Sequence, residues 1–226
     1  MNLFRLDASI RTDGSHSRQI ADLVEHEWTD VHPESRIIRR PIGTEPLPSD
    51  AWASAAYAGF TPEEKRTQAQ IDALGLAAAL VDELVEADAL LFAVPLYNFG
   101  VSQHFKTYVD LVTTDPRMAA GGSPALIGKP AVLVTVRGGA YGSGTPREGW
   151  DHATPWMRRI LEDVWQLDVR TVEAEFTLVG VNPALDEFRD LAAQMREDAE
   201  ATARSHGRAL ASHSSIGAEV RDQGTR

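Results

Sequence analysis

The sequence predicts an α/β protein, a parallel β-sheet with helices packed on both faces. Three observations carry that expectation. Short apolar runs of strand length alternate with longer segments of helical periodicity, from residue 3 to about residue 212. The runs at 87–94 and 129–136 are apolar almost throughout, as strands covered on both faces are. The chain has 226 residues, 43% hydrophobic and 24% charged, which suffices for one sizeable core, and no linker divides it.

Leu3–Ala8 reads as the first strand. Ser15 to about Trp28 follows as a helix, because Ile20, Leu23, Val24 and Trp28 share one face near the 3.6-residue period. Residues 35–40 form a short second strand, after which Pro41, Gly43, Pro46 and Pro48 break regular structure. Residues 49–60 are small, aromatic and poorly periodic. Thr61-Pro62-Glu63-Glu64 is a helix-start pattern: threonine caps, proline suits the first position and acids suit the first turn. The helix it opens would bury Ile71, Leu74, Ala78, Val81 and Val85. Ala87–Val94 is the third strand, and Val101, Phe105, Tyr108, Val109 and Val112 make the next helical face. Thr113–Gly128 is a loop with glycine and proline. Lys129–Val136 is the fourth strand and Arg137–Gly149 a second glycine-rich loop. Ala153–Trp165 reads as a helix with Met157, Ile160, Leu161 and Val164 inward, and Asp168–Leu178 as the fifth strand. Ala184 to about Ser212 is a polar, alanine-rich helix. One domain, 1–212, is expected, with 213–226 a flexible tail.

Five strands alternating in this way fit a flavodoxin-like three-layer sandwich of order 2-1-3-4-5, whose flat-cofactor site lies at the switch point between strands 1 and 3. The formal net charge of −11 opposes nucleic acid and anionic membranes, but local backbone dipoles can still hold a phosphate. The absence of cysteine excludes disulfides, thiol chemistry and iron–sulfur ligation by this chain. The N-terminus has no signal-peptide pattern and no apolar run reaches membrane-span length, so a cytoplasmic protein is expected. The seven histidines show no metal-ligand spacing, and no metal is expected.

Three loops carry the chemistry. The first, Ser9 to Ser17, joins strand 1 to the first helix. Hydroxyls of Ser9, Ser15 and Ser17, with His16, stand where a helix N-terminus offers unpaired N–H groups and partial positive charge. It matches neither the P-loop nor the G-x-G-x-x-G pattern. The second is Val94-Pro95-Leu96-Tyr97-Asn98-Phe99-Gly100, an aromatic run after strand 3 that suits a planar ring. The third, Val136-Arg137-Gly138-Gly139-Ala140-Tyr141-Gly142, follows strand 4; its glycine pair lets backbone N–H groups approach a ligand. Each has a plainer reading: a capping serine, a proline turn with core aromatics, and a flexible turn. Together they meet at one sheet edge and supply phosphate donors, an aromatic surface and backbone donors. A mononucleotide flavin matches that set.

With these segments the chain resembles the FMN-dependent NADH-azoreductases, also described as FMN-dependent NADH:quinone oxidoreductases. The resemblance is carried by Ser9 with Ser15-His16-Ser17-Arg18-Gln19, by Pro95 to Phe99 running through Phe105-Lys106 to Asp110-Leu111-Val112, by Arg137-Gly138-Gly139, and by Thr154-Pro155-Trp156 through Glu173-Ala174-Glu175. It implies a homodimer with FMN at two interface-spanning sites. Ser9, Ser15, His16 and Ser17 would hold the phosphate. Pro95, Leu96, Tyr97, Asn98 and Phe99 would pack on or bond to the isoalloxazine, with Val136, Arg137, Gly138 and Gly139 along its pyrimidine side. The chain departs from the family at 113–128, a shorter loop without aromatics in a region that shapes the family's substrate pocket.

The expected reaction is ping-pong: NADH or NADPH passes hydride to FMN N5 and leaves, and a quinone or azo compound then takes two electrons. Asn98, Arg137 and Tyr141 are the candidate catalytic residues. A flavodoxin-type carrier of single electrons to protein partners is the alternative.

Overall fold

The computed structural model describes residues 1–118, 124–145 and 147–223, with only the backbone described for 214–223. The chain runs β1 (Asn2–Asp7), α1 (His16–Val31), β2 (Arg36–Arg40), α2 (Ala51–Ala58), α3 (Gln68–Glu86), β3 (Ala89–Tyr97), β4 (Gly100–Val101), α4 (Gln103–Val112), β5 (Pro130–Val136), α5 (Thr154–Arg158), β6 (Asp168–Ala174) and α6 (Arg189–Gln223). The sheet order is β2-β1-β3-β5-β6, all parallel, with β4 paired antiparallel to the end of β3. Apart from the short β4, this is the expected 2-1-3-4-5 sheet.

Alternation along β3 divides the core. Leu90, Phe92, Val94 and Leu96 point into a cluster with α2, α3, α4 and α5, while Leu91 and Ala93 point into a second with α1 and α6. Both sheet faces are therefore covered, which is why β3 and β5 need no polar alternation. Buried Arg5 on β1 reaches Asp7 at 3.1 Å, Asp22 at 2.6 Å and Glu25 at 2.9 Å. Two of those carboxylates lie on α1, so the triad ties that helix, and the loop before it, to the central strand.

Several element boundaries move from expectation. Residues 49–60 contain the helix α2, whose buried Ala51, Ala55 and Ala58 are too small to give a strong period. The Thr61-Pro62 signal opens only a 3₁₀ turn at Glu63–Lys65; α3 starts at Gln68, where Thr67 and Gln70 form a capping box. Its buried face is Ala73, Ala77, Leu80, Val81 and Leu84, and Ile71 is exposed. After Arg158 the fifth helix widens into a π-helix, Arg159–Val164, closed by Trp165 N donating to Ile160 O at 2.8 Å, which seats Trp165 in the core. β6 stops at Ala174, and the backbone of α6 runs past residue 212 to Gln223. Residues 119–123, in the middle of the 113–128 loop expected to depart from the family, lie outside the described residues, as do 146 and 224–226. No helix among the described residues is long and apolar enough to cross a membrane.

Candidate functional site

The carboxyl ends of β1, β3 and β5 meet around an open cavity of about 300 Å³. Ser9, Ser15, His16, Ser17, Pro95, Leu96, Tyr97, Asn98, Phe99, Val136, Gly138, Gly139 and Tyr141 all line it. Of the residues picked from sequence, Arg137 alone does not.

One end is built on the N-terminus of α1. Ser15 caps the helix, its Oγ accepting from Arg18 N at 3.4 Å, an arrangement worth about 1 kcal/mol to the helix. Ser15 Oγ and Ser17 Oγ lie 3.2 Å apart, and Ser9, Ser15 and Ser17 are all buried. Arg18 turns away and binds the carbonyls of Ser9, at 2.9 Å, and Arg11. That bond set fixes the loop and engages its negative carbonyl ends, leaving hydroxyls and first-turn N–H groups toward the cavity. Burial first, then the cations of Arg196 and Arg11, hold the His16 imidazole below its ordinary range. His16 is therefore neutral at pH 7, and an arriving phosphate would favour its protonation.

Gly43 supports this loop from behind. A Cβ there would stand 2.1 Å from Ser9 O, so only glycine lets the chain after β2 lie against the backbone of residues 8 and 9. Gly43 N donates to Asp7 O at 3.0 Å across the same contact.

The other end is aromatic. The expected strand-to-helix loop is a tight hairpin: Leu96 pairs with Val101 and Tyr97 with Gly100, leaving Asn98 and Phe99 at the tip. Both tip residues are left-handed, with φ of 48° and 66°, the pattern of a type I′ turn. Asparagine tolerates this; phenylalanine at that φ is strained by about 1–3 kcal/mol. The strain is held by neighbours. Phe99 O accepts from His152 N at 2.9 Å, and its ring meets Trp150 edge-on at 5.4 Å and Tyr141 at 6.2 Å. Tyr97 Oη accepts from Ile10 N at 3.2 Å, which joins the hairpin to the serine loop.

The third wall is Val136-Arg137-Gly138-Gly139. A Cβ on Gly138 would come within 2.6 Å of the Leu178 side chain, so the glycine sets how closely the 176–178 segment packs. The Arg137 side chain is turned out of the cavity, where it pairs with Asp151, Glu173 and Glu175, each at 2.9 Å, and with Thr154 Oγ1 at 3.0 Å. Removing a cation from such a buried group costs about 3–5 kcal/mol, so its geometry is that of a structural tie.

Four lining residues were not selected from sequence: Arg11, Arg147, Thr177 and Leu178. Thr177 and Leu178 enter because the backbone after β6 doubles back onto the glycine loop, Thr177 N and Leu178 N donating to the carbonyls of Arg137 and Gly138 at 3.1 Å each. No local pattern signals that return. Arg11 lies inside the serine loop, 9–17, where its type alone did not single it out. No three metal-ligating side chains cluster among the described residues.

A family model described as the flavodoxin-like fold matches residues 1–199. A protein of Frankia casuarinae named FMN-dependent NADH:quinone oxidoreductase is 38% identical over 205 residues, covering 90% of this chain and 97% of that one. A protein of the same name from Frankia alni is 37% identical over 210 residues, covering 92% and 99%. Among solved structures, an azoreductase from Bacillus anthracis str. Sterne aligns with a TM-score of 0.74 at 20% identity, covering 92% of this chain and 99% of that one. An FMN-dependent NADH-azoreductase from Bacillus anthracis str. Ames Ancestor, solved in complex with FMN, aligns at 0.69 with 13% identity, covering 92% and 100%. The two structures speak to the fold, and the two sequence relatives to the family. The chain belongs to the flavodoxin-like family of FMN-dependent NADH:quinone oxidoreductases.

Proposed function

We propose that this chain is an FMN-dependent NAD(P)H oxidoreductase that reduces quinones or azo compounds in alternating half-reactions. One observation carries the reading: a single recess holds buried serine hydroxyls at a helix N-terminus at one end and an aromatic tip facing a glycine backbone wall at the other. Those are the requirements of a phosphate and a planar ring on one molecule, and the residues fit FMN. Bound there, FMN supplies a ring that takes a hydride from NADH or NADPH and gives two electrons to a second aromatic molecule.

The chain's own residues hold and orient. Ser9, Ser15 and Ser17 donate to the phosphate, with the first-turn N–H groups of α1. Leu96 and the tip residues Asn98 and Phe99 set the ring's plane, Asn98 offering an amide with no hydrogen bond among the described residues. The N–H groups of the Gly138–Gly139 segment would be available to the cofactor's edge where negative charge gathers on reduction. Overall, NADH, one proton and a quinone become NAD⁺ and a hydroquinone, the proton coming from water.

A homodimer is part of this reading. Trp52 and Tyr57 on α2, and Phe60 just after it, are 49%, 69% and 89% exposed, large aromatics in one short region that a second copy of the chain would cover. A cytoplasmic setting, where nicotinamide donors are abundant, belongs to the same reading. Stopped-flow mixing of the FMN-loaded protein with NADH tests the activity: bleaching of the flavin band on a catalytic timescale, followed by recovery with a quinone, is expected. A flavin band that NADH leaves intact would instead favour the single-electron carrier.

A further inference from the structure

Arg147 lies at the mouth of the cavity, on the loop between β5 and α5. Its guanidinium carbon is 6.0 Å from the ring centre of Phe99 and 5.9 Å from that of Tyr141, within cation–π range. Its Nη1 is only 3.2 Å from where a Cβ on Gly139 would stand, so the side chain runs along the glycine wall.

Among the described residues Arg147 has no carboxylate partner. The neighbouring acid is turned back on its own loop: Glu148 accepts from Gly144 N at 2.8 Å and from Ser143 Oγ at 3.3 Å. By contrast Arg5, Arg117 and Arg137 each meet two or more carboxylates. In a chain of net charge −11, an arginine left unpaired at a cavity mouth is a place for an external anion. Its surroundings say what kind. Phe99 is 38% exposed and Trp150 50% exposed, so a flat molecule can lie on aromatic surface beside the guanidinium fork.

We propose that Arg147 selects the acceptor: the site takes flat aromatic acceptors bearing a carboxylate or sulfonate, which pairs with Arg147 while the ring rests against Phe99 and Trp150. This rests on the reductase reading of the same cavity. NADH carries phosphates of its own, and the test separates the two sources.

FMN-loaded wild type, Arg147→Gln and Arg147→Lys are compared with 1,4-naphthoquinone and its 2-sulfonate at saturating NADH. The ratio of kcat/KM for the sulfonate over the neutral quinone is expected to fall about tenfold in Arg147→Gln, the worth of one charge-assisted contact, and to recover partly in Arg147→Lys. Binding of unreactive naphthalene-2-sulfonate, read by tryptophan fluorescence, should weaken by a similar factor. An unchanged ratio overturns the proposal. A loss confined to the rate of flavin reduction by NADH also overturns it, assigning the arginine to the donor's phosphates. Wild type that NADH does not reduce at all sinks the reductase reading, and with it this proposal, whatever the variants do.

Discussion

At the serine end of the cavity the hydroxyls of Ser9, Ser15 and Ser17 are buried, the helix is capped, and Arg18 braces the loop from outside. At the aromatic end Phe99, Trp150 and Arg147 are exposed, Phe99 sits in a strained turn, and Arg147 has no carboxylate among the described residues. The difference teaches a division of labour. On the proposed reading the serine end meets one fixed group, the cofactor's phosphate, and donors locked before it arrives leave little ordering entropy to be lost on binding. On the same reading the aromatic end receives the cofactor's ring and also the donors and acceptors that come and go beside it, which fits its open surface and solvated charge.

That contrast can be broken most forcefully at Gly43. An alanine there would drive its Cβ into the Ser9 carbonyl, and the loop must shift because backbone cannot yield as a side-chain tip does. Gly43→Ala should lose about 3 kcal/mol of stability by denaturant melt. FMN affinity, read by flavin fluorescence titration, should fall more than tenfold. Intact FMN affinity in Gly43→Ala would show that the serine loop is not pre-set by its support.

Replacing both Ser15 and Ser17 by alanine removes donors without moving backbone. FMN affinity should weaken by about tenfold or more, since each hydrogen bond to a charged group is worth about 1.5–3 kcal/mol. The Ser15 part also removes a cap worth about 1 kcal/mol, so the melt must be measured alongside. Affinity unchanged beyond what the melt explains would take the phosphate away from this end.

The smallest stability effect is expected at the other end. Phe99→Gly relieves a left-handed residue of about 1–3 kcal/mol of strain but deletes ring contacts with Trp150 and Tyr141 worth about 0.5–1.5 kcal/mol each. The two nearly cancel, so stability should stay within about 1 kcal/mol of the parent. The kcat/KM for an aromatic acceptor should fall about tenfold, with FMN still retained through its phosphate end and Leu96. A large drop in stability would mean that Phe99 is a packing residue and that the two ends are not different in kind.

The fold and most of the recess were legible in the chain because their causes are local or periodic. Strand length, apolar runs and helix caps are written into neighbouring residues, and parallel order brings the loops after β1, β3 and β5 to one edge whatever else happens. Chemistry at each loop was readable for the same reason: serines before a helix, aromatics at a strand end, paired glycines. What the sequence by itself could not assign was the direction of single side chains and the returns of distant backbone. Arg137 stood beside the glycine pair and read as a site cation. Only the packing of Asp151, Glu173 and Glu175 around it decided that its charge is spent in a structural tie. Arg147 stood in the glycine-rich 137–149 loop with no local signal of a role, and only the fold laid it across Phe99 and Tyr141. Gly43 read as a breaker, and only the crossing of two loops made it a support. Local sequence sets which groups a loop can offer; contacts between residues far apart in the chain set which of them face the cavity, because a cation turns toward whichever carboxylates the fold brings near.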